Sequence, residues 1–172
     1  MANLIHEWHD FYLLIGTASA TLVGLMFVAA SVGASYFTTE REVPLRSLLT
    51  PTIQHFSAVL VICLMGTAPS QTSSSFGALV SASGVVGIGF ACRVWRNMLR
   101  RGMTKTLDLA DRCCYIVLPI GTYLAVIGTG IVLPSKPGLG LDLLAGLLVV
   151  LLLLGIRNAW DMTLWIVLHT DR

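Results

Sequence analysis

The chain is 172 residues long, 55% hydrophobic and only 12% charged, with a mean hydropathy of +0.80; soluble domains carry about 25% charge. A soluble fold of this size could not hide so much apolar surface, so the composition implies a membrane protein. The net charge of +2, with no contiguous basic domain, excludes a nucleic-acid partner. Cys63, Cys92, Cys113 and Cys114 lack CxxC or CxxxC spacing, which argues against a disulfide framework or a zinc site.

Apolar runs of about 20 residues, enough to cross a roughly 30 Å hydrocarbon core, fall at 11–37, 52–70, 76–94, 113–133 and 143–168. The expected fold is all-α, a single transmembrane bundle over residues 1–172 with five spans. The first ten residues contain no Lys or Arg, and the apolar stretch behind them is too long for a signal-peptide core, so no cleaved signal is expected. Pro51, Pro69, Pro134 and Pro137 stand at or beside span ends. The polar run Gln71-Thr72-Ser73-Ser74-Ser75 turns the second span into the third as a tight hairpin. Pro119, inside the fourth run, predicts a kink.

Sidedness follows from Lys and Arg in alternate connections. One side holds only Lys136. The other holds Arg41, Arg46, Arg93, Arg96, Arg100, Arg101, Lys105, Arg112 and Arg172. This bias predicts the N-terminus outside and the C-terminus inside; a four-span alternative with a re-entrant segment would spoil it.

Small residues recur at helical spacing on three spans: Gly16, Ala20 and Gly24 with Thr17 and Thr21, then Ser83, Gly87 and Ala91, then Gly121, Ala125 and Thr129. In lipid such faces let helices approach closely, within one chain or between subunits. Leu at Gly24 or Gly87 is expected to disrupt association.

Ionisable residues within a span are candidates for function. Arg157 and Asp161, in Arg157-Asn158-Ala159-Trp160-Asp161, are four apart and can pair along one helix face. Arg157 lies about 21 Å in from Leu143, close enough to the inner edge to snorkel, with Trp160 and Trp165 as an inner aromatic belt. His55 and Gln54 stand at comparable depth. With Arg157, Asn158 and Asp161, and with Ser31 and Ser35 of the first span, they outline a candidate polar vestibule open to the cytoplasm. The competing expectation is an interfacial histidine and a snorkelling arginine of purely structural role.

His6-Glu7-Trp8-His9-Asp10 is one residue short of HExxH and offers too few ligands for a metal. Trp8, Phe11 and Tyr12 read as an outer interfacial anchor, with Asp10 as helix cap. Arg93, Arg96, Arg100 and Arg101 set topology and meet anionic head groups. Ser83 and His55 lie at opposite depths and cannot share a proton. Gly84-Val85-Val86-Gly87-Ile88-Gly89 has no strand before it, Asp108 and Asp111 lack accompanying carboxylates, and His55 has no second histidine at its depth for a haem. No catalytic residue, metal or cofactor is expected.

Trp8-His9-Asp10-Phe11-Tyr12, Thr21-Leu22-Val23-Gly24-Leu25-Met26-Phe27-Val28-Ala29 and Arg157-Asn158-Ala159-Trp160-Asp161 together resemble a group of small multispanning bacterial inner-membrane proteins with no assigned activity. The resemblance implies a multi-pass bacterial inner (cytoplasmic) membrane location and packing of the first helix on the last. It carries over no functional residue. The leading functional expectation is a non-enzymatic accessory or assembly subunit that binds copies of itself or a larger membrane partner. The alternative is a small ion or solute channel or transporter, in which Arg157→Leu would abolish flux. An enzyme is the third class, and nothing in the residues specifies one.

Overall fold

The computed structural model describes residues 7–32, 42–69, 71–100 and 117–168. Among them are five helices and no strand: α1 (His9–Val32), α2 (Glu42–Thr67), α3 (Ser73–Arg100), α4 (Leu118–Val132) and α5 (Pro137–Leu168). Four contain stretches long and apolar enough to cross a membrane, with α4 a shorter apolar helix beside them. The chain is a membrane protein built as a helical bundle.

Helix ends differ from the apolar runs because hydrophobicity does not terminate a helix; hydrogen bonding does. The polar run before α3 works as a cap. Thr72 Oγ1 accepts the Ser75 amide at 3.1 Å while the Thr72 amide donates to Ser75 Oγ at 3.0 Å, a capping box with serine in the usual acidic position. Pro51 lies inside α2 rather than at its start; membrane helices tolerate such a proline where neighbours re-satisfy the freed carbonyl. Pro119 is the second residue of α4; the residues before 117, on which the expected kink depends, lie outside the described residues. Pro137 opens α5. Asp10 sits within the first turn of α1 rather than capping it, still favourably placed against the helix dipole.

Neighbouring helices run antiparallel. Along α1 and α2, Tyr12 packs on Gly66, Gly16 on Cys63, and Ser19 Oγ donates to the Phe56 carbonyl at 2.6 Å. Along α3 and α4, Gly77 meets Gly130 and Leu133, Gly84 meets Ile127, and Gly87 meets the Tyr123 ring. Gly155 of α5 lies against the Phe56 ring. The short connections 68–72 and 133–136 therefore share one end of the bundle, here called the hairpin end. Arg93, Arg96 and Arg100 mark the other, the arginine end.

The bundle is centred on α2, which packs on α1, α3 and α5; α3 pairs with α4, and α4 with α5. The expected packing of the first helix on the last is, among the described residues, only a slight contact of α1 with α5. The reason lies in which stripes are buried. Tyr12, Gly16, Ser19 and Met26 form the buried side of α1, the first three meeting α2 at Gly66, Cys63 and Phe56. On α5, Leu141, Leu144, Leu148, Leu151, Gly155 and Asn158 alternate three and four apart, a seam that closes on α2 and α4.

Most span hydroxyls return to their own helix: Thr21 to Thr17, Ser83 to Leu79, Thr122 to Leu118. Ser19 and Ser81 instead cross to a neighbour's backbone, at Phe56 and Ile127. Ser19→Ala is expected to loosen α1 by about 1 kcal/mol, read as a lower midpoint in unfolding by sodium dodecyl sulphate. Thr21→Ala, which removes only an intrahelical bond, should leave that midpoint in place.

Candidate functional site

Near the arginine end, α2, α3 and α4 enclose an open crevice of about 10 Å³ lined by Pro51, Gln54, His55, Gly87, Phe90, Ala91, Val94, Pro119 and Tyr123. Helix antiparallelism fixes its direction. His55, Gly87 and Tyr123 form its deeper level, while Pro51, Val94 and Pro119 lie on the arginine-end side of each. Gly87 permits the closure, because a Cβ there would collide with the Tyr123 ring. Ala91, one turn on, leaves room.

His55 is buried at 3% exposure. Its Nδ1 lies 2.9 Å from the Tyr123 hydroxyl, with the two rings tilted at a centroid distance of 5.7 Å. Its Nε2 has no hydrogen-bond partner among the described residues. A buried amide shares that condition: Asn158, fully enclosed in the α5 seam, has both side-chain polar atoms unpartnered among the described residues. It stands one turn beyond the Gly155–Phe56 contact but does not line the crevice.

The residues expected in one vestibule thus fall into three places. His55 and Gln54 line the crevice. Asn158 is held in the helix seam. Arg157 and Asp161, at 37% and 31% side-chain exposure, face one another 4.0 Å apart, one turn apart along α5. Ser31 bonds back to the Phe27 carbonyl on the exposed side of α1 and does not join them. Ser35, His6 and Arg101 lie outside the described residues. Arg93, Arg96 and Arg100 are exposed along the last turns of α3.

Of the small-residue faces, Gly16 packs inward on Cys63, and Ser83 is half-buried. Gly87 and Ala91 line the crevice, so Leu at Gly87 would damage the chain's own packing rather than report on association. Ala20, Gly24, Gly121 and Ala125 face out of the bundle; Cβ atoms built on Gly24, Gly121 or Gly128 meet nothing within 4 Å. Gly16, Thr17 and Ala20 also border an open hollow of about 170 Å³ between α1 and α2, with Leu60 and Cys63 opposite.

Sequence reasoning missed Tyr123, Gly77, Gly84, Gly130 and Gly155. Tyr123 carries a signal: a phenol hydroxyl in mid-span needs a partner when buried. Gly77, Val80, Gly84 and Gly87 alternate three and four apart, the spacing of a packing seam. Comparison with family models, with curated proteins and with solved structures finds no match to this chain.

Proposed function

We propose that the protein is a non-enzymatic subunit of the bacterial inner membrane that assembles laterally with copies of itself or a larger membrane partner. The observation carrying this reading is the direction of the small-residue faces. Cβ atoms built on Gly24 of α1 and on Gly121 and Gly128 of α4 meet nothing within 4 Å among the described residues, and Ala125 is exposed, so these positions offer the close backbone approach on which helix association in lipid depends. The sparse cover of α1 supports it too, since 17% of its apolar stretch is buried against 50% for α2 and α5. The 170 Å³ hollow continues the same face of α1 and can receive a ridge of side chains from another helix. The arginine-rich end belongs in the cytoplasm by the charge bias, with Arg93, Arg96, Arg100 and Arg101 against anionic head groups.

Because a side chain added at the outward glycines meets nothing within 4 Å among the described residues, Gly24→Leu, Gly121→Leu and Gly128→Leu should leave the monomer fold intact while blocking approach. Native mass spectrometry from lipid nanodiscs is expected to show the wild-type chain in complexes and these variants shifted to monomer. A wild-type chain that is monomeric and copurifies with no membrane partner would overturn the reading.

A further inference from the structure

We propose that the crevice between α2, α3 and α4 is a hydrated site: it admits water from the arginine end and holds one molecule on His55 Nε2. Three independent features meet there. First, His55 uses one ring nitrogen on the Tyr123 hydroxyl at 2.9 Å, and the other is buried with no partner among the described residues. A neutral imidazole presents one donor and one acceptor, so the second nitrogen needs a partner of its own. Lipid cannot supply one.

Second, the hollow beside it measures about 10 Å³, close to the least space that one water requires. It is too small for an acyl chain or a larger solute. Third, the lining adds a further polar residue, Gln54, beside His55. A bound water needs two to four such partners. The crevice is open, and Pro51, Val94 and Pro119 lie on its arginine-end side, with Val94 adjoining the exposed Arg93 in the chain. Water therefore reaches His55 along α3 without crossing the hairpin end.

The site is independent of assembly, since none of the outward glycines lines it. Its occupant is water rather than a metal or an organic ligand, and it places a hydrated imidazole inside an apolar bundle.

The decisive experiment is solid-state NMR of the wild-type chain in bilayers with nitrogen-labelled histidine, the His55 signal being assigned by its loss in His55→Gln. A water cross-peak at His55 Nε2 is expected; its absence, with only acyl-chain contacts, overturns the proposal. A second test uses cysteine reactivity in nanodiscs, with the four native cysteines replaced by alanine. Gln54→Cys should react with a small water-borne methanethiosulphonate at least about tenfold faster than Leu124→Cys, because only a hydrated thiol ionises to the reactive thiolate. Leu124 lies at the depth of Tyr123 but faces outward, so equal slow rates at both positions also count against hydration.

Discussion

Phe56→Ala is expected to destabilise the bundle by roughly 3 kcal/mol, the lower end for truncating a buried phenylalanine, because a lipid-immersed reference removes part of the transfer term. Phe56 is fully buried on the central helix, and its two halves hold different neighbours. The ring fills the space that Gly155 leaves on α5, and the carbonyl receives the Ser19 hydroxyl of α1. Removing the ring leaves a void whose lining loses its dispersion contacts. The argument is specific enough for a double-mutant cycle. Gly155→Leu alone overpacks against the ring, whereas Gly155→Leu with Phe56→Ala refills the void from the other side. The pair should recover about 1–3 kcal/mol relative to the sum of the singles, measured by the unfolding midpoint in detergent mixtures. Strict additivity would mean that the two positions do not share a contact.

Gly84→Leu should separate α3 from α4, at a cost of about 3 kcal/mol or more. A Cβ at Gly84 would stand 2.6 Å from Ile127 Cγ1, 3.0 Å from the Tyr123 carbonyl oxygen and 3.1 Å from the Ile127 nitrogen. The first of these can rotate away; the backbone atoms cannot, so α4 has to move. Since Tyr123 rides on that backbone, its hydroxyl leaves His55, and the change should appear as a shift of the His55 ring nitrogen resonances together with the fall in stability. Gly89→Leu is the matched control on the same helix, where an added side chain meets nothing within 4 Å. It should leave both readouts near wild type.

The spans were legible because run length and polar punctuation are directly tied to bilayer thickness and to turn chemistry. Gln71 to Ser75 was read as a turn, and it is also the cap that starts α3. Helix ends were less legible, since α2 continues through Pro51 and α3 through Arg100, well past the apolar runs. Which way a small residue points was not legible at all. Four-residue spacing is the same for Gly16, packed on Cys63, and for Gly24, open to the outside; only the neighbouring helix decides. The joining of His55 with Gln54 followed from their adjacency on one span, but Tyr123 came from a helix 68 residues away. Arg157, Asn158 and Asp161 read as one group along the chain. A helix turns about 100° per residue, so Arg157 and Asp161 share a half-exposed face while Asn158 points into the seam.

The packing of Tyr12 sets an order of events during synthesis. Its ring lies on Gly66 and edge-on to Phe76 at 6.1 Å between centroids, and 64 residues separate it from that phenylalanine. At the usual 5–20 residues per second, about 3–13 s pass before the ribosome has made the second half of the socket. Until α2 follows, α1 has to rest in lipid without that partner. Its apolar stretch, with a mean hydropathy of 2.1, suits it to do so, whereas that of α2, at 1.2 and carrying His55 and Gln54, is the least apolar of the four long ones. By this measure α1 needs company less than α2 does. The one that follows is the helix that most requires a partner already in place, and its partner is waiting.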